Sequence, residues 1–294
     1  MILSRGKCGL SMCTTRYLVA MAAADLLTII TEVILYRVNI YYFPMNFLFI
    51  TPVCSVVYVL VRQARDCSVW FTVTFTFDRF VAICCQKLKT KYCSAKIAAT
   101  VLGTTSMLLF SKNIPFYFTL HSSVTIDNVP WGCEDKPSYY TESAWVGFDW
   151  FDTALIPLLP FTLILSFNAL TVKHILVSSR IRKGLKGKSK SENRSDPEME
   201  SRRKSVILLF TLSGSFIVMW MADVLEFLYY TIARIDPNNY TNSELVFNQV
   251  GTMLQNLNCC TNTFIYVVTQ SKFREHLKSM AKYPVNAVIK IRNK

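Results

Sequence analysis

Histidine is scarce. The three present, His121, His174 and His276, lie far apart in a chain of 294 residues, with no Ser-His-Asp or metal-ligand grouping around them, so an enzyme is not expected. Charge is thin as well. Asp, Glu, Lys and Arg make up 17% of the residues against 52% hydrophobic, and the charges stand between long apolar runs instead of alternating with apolar residues. That pattern excludes an ordinary soluble domain. A cleavable signal peptide is missing too, because Arg5 and Lys7 arrive before any apolar h-region, so the first span must act as its own insertion signal. The ten cysteines lack the paired spacing that zinc needs, and neither a structural metal nor a cofactor is expected.

What is present is apolar length. Runs of about 20 or more mostly apolar residues recur at 17–36, 97–120, 154–177, 206–232 and 246–268, with a longer, more polar one at 51–85. Each can cross a hydrocarbon core of roughly 30 Å as a helix, and each is too long for a barrel strand. The expectation is an all-α membrane bundle over residues 1–270, with six spans at about 15–37, 51–84, 96–119, 146–178, 205–233 and 244–269.

The net charge of +13 is unevenly placed. Residues 1–16, 84–96, 179–204 and 270–294 hold 24 basic side chains, whereas the alternate connections carry only Arg37, Lys136 and Arg234. The positive-inside rule then makes the amino-terminal segment and the carboxy-terminal tail cytoplasmic. A basic inner face suits anionic membrane lipids and acidic partner surfaces, not nucleic acid. The segment 179–204, rich in Ser, Lys, Arg and Glu, reads as a flexible cytoplasmic loop whose ends continue into the neighbouring helices. Residues 271–294 read as a short amphipathic helix with Phe273 and Leu277 on one face, followed by a basic tail. On the outer side, Asn239-Tyr-Thr241 is a glycosylation acceptor pattern, whereas Asn193-Arg-Ser195 falls inside and is expected to stay unmodified. Cys54 at the outer end of its helix and Cys133 in the outer loop lie in an oxidising environment, where a disulfide would tie the loop over the bundle mouth; two free thiols are the alternative.

Polar residues within spans are costly unless paired or lining a cavity. Asp25 needs a partner, and Ser68, Asn258 and Asn262 are the candidates for a hydrated cluster able to take a sodium ion, or for a satisfied network without one. Arg62, Arg65 and Asp66 stand at i, i+3 and i+4, on one side of a helix, where they can partly neutralise one another. A pocket there would offer both charge signs to a zwitterion, with aromatic walls from Tyr58, Trp145, Phe148, Trp150, Phe227 and Tyr230; an ion network that only locks helices is the alternative. At the inner end of the same helix, Asp78 can hold Arg79 in one state and release it in another.

Taken in order, these motifs resemble the rhodopsin-like (class A) G-protein-coupled receptors. Ala22-Ala-Ala-Asp25 is similar to the family's second-helix motif, Cys54 to its disulfide cysteine, Asp78-Arg79-Phe80 to its Asp-Arg-Tyr switch, Phe216-Ile-Val-Met-Trp220 to its sixth-helix aromatic pair, and Asn262-Thr-Phe-Ile-Tyr266 to its Asn-Pro-x-x-Tyr motif. Lys272-Phe273-Arg274 resembles the start of helix eight. Residues 74–93 and 196–204 look closest to the orphan group of G-protein-coupled receptors 139 and 142.

The resemblance implies a plasma-membrane receptor with a small extracellular ligand, of the tryptophan or phenylalanine kind, and a heterotrimeric G protein, chiefly of the Gq class. Asp78, Arg79, Phe216, Trp220, Asn262 and Tyr266 would form its activation switch. Two helix-weakening prolines are replaced, by Ala222 and Thr263, which bears on the kinks there. The chain also begins where the family's first helix would be ending, so helices two to seven are the spans expected. A small-solute transporter is a second reading, although no internal repeat or pair of Gly/Pro-broken helices favours it, and a truncated, non-signalling receptor is a third.

Overall fold

The computed structural model describes residues 11–43, 46–186, 197–233 and 240–269. Long helices dominate. The first, α1 (Met12–Thr28), starts where the Ser11 hydroxyl accepts from the Thr14 amide at 3.2 Å, then widens into a π-wound stretch, Ile29–Val38, and a last turn, α2 (Asn39–Tyr42). The longest uninterrupted rod on the disulfide side, α3 (Thr51–Cys84), carries a proline in its first turn, where no amide hydrogen is needed. After the short α4 (Gln86–Tyr92), α5 (Ala95–Asn113) is capped by Ser94, whose hydroxyl accepts from Ile97 N at 3.3 Å.

A compact loop follows. Strand β1 (Leu120–His121) pairs antiparallel with β4 (Glu134–Asp135), and β2 (Val124–Ile126) with β3 (Val129–Trp131). The turn residues Asp127 and Asn128 both have positive φ, which Asp and Asn tolerate and which matches the twist of a tight hairpin. Gly132, at φ +103°, donates its amide to Phe49 O at 3.0 Å, and its carbonyl accepts from the Thr51 hydroxyl at 2.9 Å. A side chain there would collide with Ser123. Beside it Cys54 and Cys133 form a disulfide, Cα atoms 6.3 Å apart, so the loop is pinned to the first turn of α3.

Past α6 (Pro137–Thr141), α7 (Ser143–Thr153) runs through a second π-wound turn, Ala154–Leu158, into α8 (Leu159–Lys186). Pro157 sits inside that turn; it offers no amide hydrogen, and the wider winding absorbs the missing bond. Helices α9 (Pro197–Ala233) and α10 (Asn242–Thr269) complete the chain. Thr241 and Glu244 cap α10 reciprocally: Thr241 N donates to Glu244 Oε2 at 2.7 Å, and Glu244 N to Thr241 Oγ1 at 3.4 Å. With alanine and threonine replacing the family's prolines, α9 and α10 are each continuous through positions 222 and 263.

Helix α3 runs through the middle and packs against α1, α5, α8 and α9, while α10 lies against α9 and α1. Between them a core of Leu18, Met21, Phe75, Ile164, Leu208, Leu212 and Phe216 is fully buried. Large apolar side chains such as Leu26, Ile34, Leu108, Leu165, Val218 and Met253 face outward, as a lipid-solvated bundle requires. Four stretches, Met12–Val38, Thr51–Cys84, Ser143–Ser178 and Val206–Tyr230, are long and apolar enough to cross a membrane by themselves, against the six expected. The other two are held back by polar residues and not by length: α5 carries Lys96, Lys112 and several Thr and Ser, and α10 carries Gln249, Gln255, Asn256 and Asn258 along its length. The neighbouring helices continue into both ends of the segment 179–204, as expected, through Lys186 and from Pro197. Residues 271–294, with the expected amphipathic helix, and Asn239 lie outside the described residues.

Candidate functional site

At the disulfide end, α3 projects Arg62, Arg65 and Asp66 toward three different neighbours. The expected mutual neutralisation is replaced by pairing across helices. Arg62 Nη1 donates to Asp152 Oδ2 of α7 at 3.1 Å, Arg65 Nη2 to Glu32 Oε2 of the first π-wound stretch at 3.2 Å, and Lys112 of α5 donates to Asp66 Oδ2 at 2.7 Å and also pairs with Asp152. Side chains one turn apart on a helix diverge once partners of full opposite charge stand on facing helices, and desolvation makes such partners obligatory. Asn113 also donates to Asp66, at 2.8 Å, and Arg37 joins Glu32, at 2.7 Å, to Gln249 of α10, at 2.9 Å. The Arg62 guanidinium lies over the Phe116 ring, 4.3 Å from its centroid, and its other nitrogen donates to the Tyr58 hydroxyl at 2.9 Å.

These groups border a cavity of about 140 Å³ lined by Arg62, Arg65, Asp66, Phe227 and Tyr230 among the expected residues. Trp220 forms part of the same wall, and Asp149, Asp152, Asp223 and Glu226 add carboxylates that the sequence reading did not single out. Their spacing on α7 and α9 carries the only sequence signal: acids inside otherwise apolar helices. Four expected wall residues are elsewhere, and the first of them, Tyr58, packs edge-on against Phe116, centroids 6.1 Å apart. Trp145 and Phe148 turn to the other side of α7 and pack in a cluster with Val59, Phe116 and Tyr139, and half-exposed Trp150 meets Phe227 edge-on at 5.0 Å. Helical rotation separates them from the cavity, since Asp149, Asp152 and Thr153 hold its side of that helix. In the loop above, burial raises the Asp135 carboxyl above the ordinary carboxylate range, against the opposing donation from the Tyr140 hydroxyl at 3.1 Å.

Below the cavity the polar residues thin out. Phe216 and Trp220 lie with ring centroids 5.6 Å apart, and Phe161 of α8 meets Phe216 edge-on at 5.5 Å. Beside them, Ser68 Oγ donates to Asp25 Oδ1 at 2.5 Å, both groups buried, and Asn258 is buried on α10. Asn262 and Tyr266 lie on α10, with side chains outside the described set.

At the far, basic end Asp78 holds Arg79 through two contacts, one of them from Nε at 3.1 Å. The Cys13 thiol donates to Asp78 Oδ1 at 3.0 Å, and Phe80 stacks on Phe167 of α8, centroids 5.7 Å apart. The carboxylate is thus shared between its neighbouring arginine and α1, which keeps the guanidinium folded against its own helix.

The arrangement is a column: charged cavity, aromatic pair, buried aspartate and arginine clasp, strung along α1, α3 and α9. Residues 1–266 match the model of the 7 transmembrane receptor (rhodopsin family). The chain therefore belongs to that family of multi-pass membrane receptors, which signal through G proteins.

Proposed function

We propose that the chain is a receptor for a small aromatic extracellular ligand, an amino acid such as tryptophan or phenylalanine, coupled to heterotrimeric G proteins of the Gq class and related to the receptor 139 and 142 group. One observation carries the ligand reading: the cavity joins both charge signs to the aromatic faces of Trp220, Phe227 and Tyr230. A zwitterion with an aromatic side chain meets both needs. The disulfide end faces outward in the plasma membrane and the basic end faces the cytoplasm, by the distribution of Lys and Arg. Asp25 with Ser68 is the place for a sodium ion, and the basic inner face meets anionic lipid.

Signalling then follows as a shift between two populations. A ligand in contact with Trp220 favours the state in which it binds more tightly, and only that difference moves the equilibrium. Trp220 moves with Phe216, since their rings touch. The basic end of α9 swings away, Arg79 leaves Asp78, and the freed guanidinium and basic loop meet the G protein. The test is calcium release in cells displaying a surface-tagged chain when tryptophan or phenylalanine is added. A response that disappears in Arg79→Ala supports the reading; silence despite surface display rejects the aromatic amino acids as agonists, and uptake without signalling would favour transport.

A further inference from the structure

The charges around the cavity do not balance. Asp66, Asp149, Asp152, Asp223 and Glu226 line it, against Arg62 and Arg65. Both arginines already hold carboxylates, Asp152 and Glu32. With the partners directly behind the wall included, six carboxylates (Glu32 added) face four cations (Arg37 and Lys112 added). Among the described residues Asp149, Asp223 and Glu226 join no ion pair. The donors that reach them are neutral: the Tyr139 and Tyr230 hydroxyls give to Asp149 at 2.8 and 2.9 Å, and the Tyr240 hydroxyl and Asn248 amide give to Glu226 at 2.8 and 3.0 Å.

A second observation is independent of charge. Trp220, 4% exposed, lines the same cavity, and among the described residues its indole Nε1 has no hydrogen-bond partner. Buried donors are nearly always satisfied, so this one takes an acceptor from outside the protein, a water or, in the cavity it borders, a ligand oxygen. A divalent metal does not answer the excess of carboxylates, because no group of three or more His, Cys, Asp or Glu side chains among the described residues is placed to hold one. An ammonium does: it is drawn by carboxylates and by the Phe227 and Tyr230 faces together, whereas a ligand carboxylate would meet arginines already paired and acids that repel it.

We infer that the cavity selects a net-cationic aromatic amine bearing an acceptor oxygen, its ammonium at Asp223 and Glu226 and its oxygen accepting from Trp220 Nε1. The inference rests on the reading of this cavity as an aromatic-ligand site and ranks, within that class of ligand, an aromatic amine above the amino acids.

The experiment is binding of tyramine, phenethylamine and tyrosine to the full chain in lipid nanodiscs, by competition or thermal shift. Tyramine should bind at least tenfold more tightly than tyrosine, with phenethylamine, which lacks the oxygen, weaker than tyramine. The Asp223→Asn, Glu226→Gln double variant should erase the preference for amine over amino acid, and Trp220→Phe the preference for tyramine over phenethylamine. Tyrosine binding as tightly as tyramine overturns the inference and leaves the aromatic-ligand site standing; so does a double variant that keeps the amine preference. Binding of none of the three overturns both. The comparison on the unaltered chain decides the charge question even if a variant does not fold.

Discussion

The two ends of the bundle are held together by different physics. At the disulfide end, α3 is joined to three neighbouring elements through Arg65–Glu32, Arg62–Asp152 and Lys112–Asp66, and to the loop above through a covalent bond. At the basic end the described contacts are mostly aromatic and aliphatic, with one thiol hydrogen bond from Cys13 of α1 to Asp78 and one ion pair, Asp78–Arg79, made between adjacent residues of one helix. Ion pairs between helices fix relative positions, because breaking one leaves a desolvated charge. A pair within a helix fixes nothing beyond that helix. The difference separates an end that holds its geometry from an end that is free to rearrange.

The largest expected effect comes from breaking the rigid end at its most connected point. Lys112→Ala leaves Asp66 and Asp152 without their shared cation, and should cost about 3–5 kcal/mol, read as a lower melting temperature of the detergent-solubilised receptor. Removing the disulfide with Cys54→Ser and Cys133→Ser opens a loop closed over 79 residues and should cost about 2–4 kcal/mol in the same measurement. Between the ends, Ser68→Ala removes one donor to buried Asp25, with an expected cost of about 1.5–3 kcal/mol. The mobile end should respond in signalling more than in stability. Asp78→Asn weakens the hold on Arg79 and should raise ligand-free G-protein activity about fivefold, equivalent to about 1 kcal/mol, in a second-messenger assay. Equal losses of stability from Lys112→Ala and Asp78→Asn would break the comparison.

The helical membrane bundle was legible because apolar length and the needs of the backbone in lipid leave few other folds. The disulfide was legible as well, from the placement of Cys54 and Cys133, and the structure contains it. What the charges do was not. Arg62, Arg65 and Asp66 announce themselves by standing inside an apolar helix, but their partners Glu32, Lys112 and Asp152 come from three other segments, and only the packing of helices selects them. Local spacing suggested that the three would satisfy one another, an inference valid for an exposed helix and overridden once facing helices bring stronger partners. The aromatic wall was legible only in part, for a related reason. Phe227 reaches the cavity and Trp145 does not, and the choice depends on the rotation of α7, which a π-wound turn alters without leaving a clear periodic signature.

That turn, Ala154–Leu158, has a consequence for insertions and deletions. One residue more or less in a helix rotates everything beyond it by about 100°, normally ruinous for a rod that must present Asp149 and Asp152 at one end and Phe161 and Phe167 at the other. A widened turn is a place where the two halves are already out of phase, so the face shown by residues 143–153 can be reset without disturbing the face shown by 159–186. A small insertion or deletion at this turn would therefore change which side chains of 143–153 border the cavity while leaving the packing of Phe161 and Phe167 unchanged.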